Sequence, residues 1–270
     1  MSVLTVGRVA LAMFRETVRD RVLYALVAFA VLVIGASLLI SQLTAGQDVK
    51  IIKDLGLAAM SMIGVFIAIF IGIGLVSKEV EKRSVYSLLA KPVRRSELVV
   101  GKYVGLVLTL LVNLIVMTAV WYLVLSYYAY TAEELVRRSW EAPALDPRML
   151  IAVYLIFVQL MLVTAIALFF STFSSPMLSA LFTFGLFVAG HFSGDLKNFE
   201  GAIASPLAAG AAKALYYVLP NMAAFDVKSE VVHAHPIGAA IVAGATAYGA
   251  LYVTGLVLAS IAVFSRRDFK

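Results

Sequence analysis

The chain has 270 residues, 62% of them hydrophobic and 14% charged, with a mean hydropathy of +0.97 and a net charge of +6. A soluble domain of this size needs a polar coat that the composition cannot supply, so the protein reads as an all-α integral membrane protein and not as a basic nucleic-acid binder. With no cysteine in the chain, disulfides, thiolate metal sites and cysteine nucleophiles are excluded.

Residues 1–21 set Val3, Val6, Val9, Ala10, Met13, Phe14 and Val18 at three- and four-residue spacing against Arg8, Arg15, Arg19 and Arg21. This pattern predicts an amphipathic elbow helix lying in the membrane interface. A cleaved signal peptide would have a shorter basic region and a small-x-small cleavage site.

Beyond it, apolar runs of about 20 residues are each long enough to cross a hydrocarbon core of about 30 Å as a helix. Six such spans are expected, at 22–44, 55–77, 103–130, 149–170, 175–192 and 237–264. The first two are joined by a polar loop, GQDVKIIKD. Residues 149–194 contain no Asp, Glu, Lys or Arg, and a run of that length requires two spans. The serines and proline of STFSSP, Ser171 to Pro176, supply the turn between them. Residues 193–236 form a long outer connection. Within it, 201–225 carries Lys213 between two apolar halves too short to cross, so a re-entrant or interfacial segment is expected there.

Orientation follows from the charges. With both ends on one side, that side holds Arg8, Arg15, Arg19, Arg21, Lys78, Lys82, Arg83, Lys91, Arg94, Arg95, Lys102, Arg266, Arg267 and Lys270, fourteen of the 22 basic residues, while ten of the 16 acidic residues lie opposite. The positive-inside rule places both termini in the cytoplasm and the protein in the cytoplasmic membrane.

The expected spans carry no Asp, Glu, Lys or Arg, although ion-coupled carriers place such groups at membrane depth. Their polar residues, Asn113, Gln159, Thr118, Thr164, Thr183, Thr246 and Thr254, read as helix-to-helix hydrogen-bonding groups. His233 and His235, near Asp226 and Glu230, are weak metal candidates, and GHFSG lacks the third group that a nucleophile and base require. No catalytic, cofactor or metal site is assigned. A P-loop is also lacking, because Gly101-Lys102 is followed by Tyr103. Gly101 and Gly105, and separately Ala239, Ala243 and Ala247, mark faces where helices approach closely, either within the chain or between two copies.

The segment 78–102 is the most highly charged in the chain. Val85, Leu88 and Leu89 recur at i, i+3, i+4, which predicts two turns of amphipathic helix terminated by Pro92. Ser96 is placed to cap the third span, with Glu97 favourable to its dipole. A loop that only fixed topology would need a few lysines and no apolar face.

Glu79-x-Glu81, Ser84, Leu88-Leu89, Pro92, Arg95 and Gly101-Lys102 resemble the motif of permease subunits of ABC-2 type transporters, in the branch that includes the permease for nitrous oxide reductase maturation. Arg83 departs from the small residue common before the Ser. The resemblance implies the ABC-2 exporter fold, with six transmembrane helices, an elbow helix and a cytoplasmic coupling helix. It also implies a separate ATPase subunit that binds ATP and Mg, and the pairing of two permeases into a homodimer. Its coupling interface would comprise Glu79, Glu81, Ser84, Val85, Leu88, Leu89, Pro92, Arg94 and Arg95. Leucines and Val85 suit an apolar groove, and the charged residues suit its rim. Other expected partners are membrane lipid and an extracytoplasmic accessory protein. The rival reading is a non-transporting scaffold that recruits an envelope maturation factor.

Overall fold

The computed structural model describes residues 2–42, 47–81 (backbone only for 74–81), 94–138, 140, 142–192 and 219–266. Among these residues the elements are helices: α1 Val3–Thr17, α2 Arg21–Ser41, α3 Asp48–Glu81, α4 Arg95–Thr131, α5 Glu134–Arg138, α6 Met149–Ser171, α7 Pro176–His191, a 3-10 turn Met222–Phe225, α8 Lys228–Val232 and α9 Ala239–Arg266. Five of them, α2, α3, α4, α6 and α9, are long and apolar enough to cross a membrane. This is a multi-pass membrane protein. α7 is shorter, and its 16 residues rise about 24 Å.

α6 is the central helix. Leu155, Leu162, Val163, Ala165 and Ala167 along it are fully buried, and α3, α4, α7 and α9 pack around it. Small residues set the distances. A Cβ on Gly64 would lie 2.6 Å from Leu160, one on Gly72 2.7 Å from Ala167, and one on Gly249 2.7 Å from Val158. The matching order of these contacts shows that α3 and α6 run in the same direction.

α3 begins at Asp48, so most of the expected loop GQDVKIIKD is helical. Val49, Ile52, Lys53, Gly56, Leu57 and Met60 fall on one buried face at helical spacing. Lys53 belongs to that face; it is fully buried, and its Nζ donates to the Pro143 carbonyl at 2.8 Å. Beside it, Trp121 of α4 is buried and donates Nε1–H to the Ile52 carbonyl at 3.0 Å, its indole occupying the space that Gly56 leaves open.

α4 starts at Arg95, eight residues before the expected span, and its 37 residues rise about 55 Å. It therefore overhangs a bilayer core of about 30 Å. The break at STFSSP is a turn between α6 and α7, with Pro176 in the first turn of α7, where its missing N–H costs nothing.

His191, at the end of α7, lies against Gln159, ten residues into α6 and about 15 Å from that helix's start. The chain returns at the same level, since Gln159 Nε2 donates to the Met222 carbonyl at 3.3 Å and Phe225 packs on Gly249. From there α8 climbs along α3, and Ala234 reaches Arg148 at the start of α6. Residues 220–234 are thus a limb that dips into the bundle. The part of the connection around Lys213 lies outside the described residues.

Candidate functional site

The expected coupling interface falls largely outside the described residues, with Ser84, Val85, Leu88, Leu89 and Pro92 among them. The backbone of Glu79 and Glu81 continues α3. Arg94 and Arg95 are described, and they open onto a junction that sequence reasoning did not anticipate.

The helix cap differs from the expected one. Arg94 is the N-cap, and the Glu97 carboxylate reaches back to accept from the Arg94 N–H at 3.3 Å, the return half of a capping box. Its other oxygen accepts from the Ser2 N–H at 2.6 Å. Glu97 is only 5% exposed, so this carboxylate is spent on two backbone donors from separate parts of the chain. Ser96 does not provide the cap, because α4 starts one residue before it.

α1 runs parallel to this end of α4. Ser2 meets Glu97, Val9 meets Gly101, and Ala10 with Met13 meets Gly105. A Cβ on Gly105 would lie 2.6 Å from the Ala10 carbonyl oxygen, so backbone approaches backbone there. The GxxxG at Gly101 and Gly105 therefore serves contact within the chain, between α1 and α4. The α1 residues that face it are Val9, Ala10 and Met13, while Arg8 and Arg15 are exposed and Val3 and Leu4 remain uncovered. In contrast, Ala239, Ala243 and Ala247 are all exposed on α9, which packs inward through Ala245 and Gly249.

Arg95 is committed within the chain as well. Its guanidinium donates to the carbonyl oxygens of Ser265 at 2.9 Å and Phe264 at 3.4 Å, at the C-terminal end of α9. A cation at that position complements the negative end of the helix dipole. Two turns further, Tyr103 is buried beside Val99, Ala165, Leu168 and Phe264 and donates to the Met161 carbonyl at 3.1 Å. Three helices remote in sequence, α1, α6 and α9, therefore converge on the first turns of α4, which carry the end of the motif, Arg95 and Gly101-Lys102.

The polar residues of the long helices meet the expectation in part. Thr118, Thr164, Thr183, Thr246 and Thr254 each donate to the carbonyl four residues earlier in their own helix, and Asn113 does likewise through Nδ2. Contacts between elements come instead from Gln159, from Thr246 with Tyr154 at 3.2 Å, and from Thr118 with the Met60 sulfur at 3.5 Å. Local carbonyls win because they lie within reach at no cost in helix geometry.

His233 and His235 stack with ring centroids 6.0 Å apart, and His233 Nδ1 lies 2.9 Å from the Ser229 carbonyl oxygen. Among the described residues no group of three or more His, Asp or Glu side chains is placed to hold a metal. Lys228, also on the dipping limb, reaches Ser61 at 3.4 Å and Asp226 at 3.5 Å.

No curated protein matches the chain. The profile of the family described as ABC-2 family transporter protein matches residues 9–269, nearly the whole length. The motif, the long apolar helices and this match agree, and the chain belongs to the ABC-2 transporter family of membrane permeases.

Proposed function

We propose that the chain is the membrane-spanning permease subunit of an ABC transporter whose ATP and Mg are bound by a separate cytoplasmic ATPase docked on residues 78–102. Two copies form the substrate path, each with six crossings, the fifth built on α7. α1 lies at the cytoplasmic interface, both termini are cytoplasmic, and transport is outward across the cytoplasmic membrane. Within the family the chain sits with the branch that includes the nitrous oxide reductase maturation permease.

The observation that carries this reading is the junction at the start of α4. An ATPase that moves residues 78–93 moves α4 directly, and Glu97 and Arg95 pass that motion to α1 and to the end of α9. A short rigid path from a docking segment to remote helices suits a subunit driven from outside.

The test is co-purification of the chain with a candidate ABC ATPase subunit. Changing Leu88 and Leu89 to Asp should abolish association and leave the permease folded. Undiminished association would refute the docking role. Reconstituted complex that hydrolyses ATP without displacing any substrate across the bilayer would favour the scaffold instead.

A further inference from the structure

Gln159 and His191 form a short hydrogen-bonded chain with a carbonyl at each end. His191 Nδ1 lies 3.0 Å from the Phe187 carbonyl oxygen of its own helix, and its Nε2 lies 3.4 Å from Gln159 Nε2. Gln159 Nε2 also lies 3.3 Å from the Met222 carbonyl oxygen, at the lowest part of the dipping limb. A carbonyl oxygen only accepts, so the two ends fix the direction of every bond between them. Nδ1 must carry the imidazole proton to reach Phe187, and Nε2 of the neutral ring is then a bare acceptor. The Gln159 amide must turn its NH2 towards Met222, and the other hydrogen of that NH2 meets the Nε2 lone pair. Every donor in the chain finds an acceptor, so the neutral ring fits.

A protonated ring does not fit. With hydrogen on both nitrogens, Nε2–H faces the Gln159 NH2, donor against donor. The amide relieves the conflict by turning over to offer Oε1 to the ring, and the Met222 carbonyl then loses its donor. Gln159 is 2% exposed and Met222 is fully buried, so solvent does not replace the lost bond. Asn221 N–H still donates to the Tyr248 hydroxyl at 2.7 Å, so the limb stays attached to α9 while its turn at Met222–Phe225 loosens. Among the described residues no charged side chain bonds to the ring. It meets Gln159 from α6 and Phe187 from its own helix, and its neighbour Gly190 meets Pro220 and Met222 of the limb. The charges on the elements around it are engaged elsewhere: Asp226 with Lys228, Lys228 also with Ser61 of α3, Lys53 with Pro143, Arg148 with Ala234, and Asp54 with His233 and Lys50.

We propose that His191 is a proton switch for the dipping limb, leaving Gln159 to hold Met222 while neutral and drawing the amide away once protonated. The reading does not depend on the transport assignment. The test is amide exchange of the full chain in detergent over Met222–Phe225, from about pH 8 to about pH 5, the range in which imidazole gains its charge. Rates are corrected for the intrinsic chemical exchange at each pH. Imidazole nitrogen NMR of the three histidines, assigned by single replacements, follows the rings over the same range. At the alkaline end His191 should be the Nδ1–H tautomer, and as it gains its second proton the corrected exchange should rise about tenfold. His191→Phe should keep the slow exchange and lose the response to pH. Gln159→Leu should exchange fast at both ends of the range. The double variant His233→Gln, His235→Gln should keep the response. A His191 ring that stays neutral at the acid end, an Nε2–H tautomer at the alkaline end, or exchange that ignores its protonation would each overturn the proposal. So would a response that survives in His191→Phe or vanishes in the double variant.

Discussion

Arg95 holds Ser265 across 170 positions of sequence, its guanidinium 2.9 Å from the carbonyl oxygen, and so fixes the end of the last helix to the beginning of α4. Phe264 and Ser265 both accept from Nη1, held in place by a planar guanidinium that a more flexible lysine ammonium reproduces only in part. Arg95→Ala should therefore raise amide hydrogen exchange over Phe264–Arg266 by about tenfold, with Arg95→Lys in between. In complex with the ATPase proposed above, the same variant should keep ATP hydrolysis and lose the proposed transport. Unchanged exchange at Phe264–Arg266 would remove Arg95 from the junction.

Gly105 and Ala10 give a second prediction, because the space between α1 and α4 is bounded by backbone. A side chain at Gly105 would meet the Ala10 carbonyl oxygen at 2.6 Å, and though the end of the Met13 side chain can yield, that backbone oxygen cannot without moving α1. Gly105→Leu should cost about 1–3 kcal/mol of stability as overpacking, read as a lower unfolding temperature in detergent. Trypsin should also cut faster after the exposed Arg15 as α1 separates. Gly7→Ala on the same helix meets nothing within 4 Å and should leave both readouts unchanged.

Gln159 gives a third. Its amide holds the Met222 carbonyl in an interior where a lone carbonyl is costly. Gln159→Leu should cost about 1–3 kcal/mol and speed amide exchange over Met222–Phe225, the lowest part of the dipping limb. If exchange there were unaffected, Phe225 packing on Gly249 would be holding the limb without the amide.

The parts of the fold legible in the sequence are those where a single local rule operates. Pro176 and the serines before it can only turn the chain, and the helix break is found there. The start of α3 was obscured because Lys53 and Asp54 look like loop residues, although Val49, Ile52, Gly56 and Met60 around them repeat at helical spacing. A lysine on a buried face becomes readable only once its acceptor, the carbonyl of Pro143 ninety residues away, is known. Glu97 was legible as a residue suited to a helix start, but its partner Ser2 was not, since nothing local encodes a contact between residues 95 apart. The same holds for the glycine pair. Its spacing announces close approach, and only the structure names α1 as the neighbour.

Lys53 carries the last prediction. A fully buried ammonium with a carbonyl acceptor and Asp146 nearby must offset a desolvation penalty of several kcal/mol, so replacing it with an apolar residue of similar length need not destabilise the protein. Lys53→Met should leave unfolding within about 1–2 kcal/mol of wild type. The Pro143 carbonyl loses its donor, however, and residues 142–148 lose their tie to α3. Proteolysis or amide exchange across 142–148 should then rise while the helices stay protected. Lys53→Glu should behave differently, because a second carboxylate beside Asp146 would leave uncompensated charge in the interior, with a loss of about 3–5 kcal/mol and poor recovery of folded protein. Equal behaviour of the two variants would mean that the loop rests on packing at Ala142 and Ala144 and not on the Lys53 ammonium.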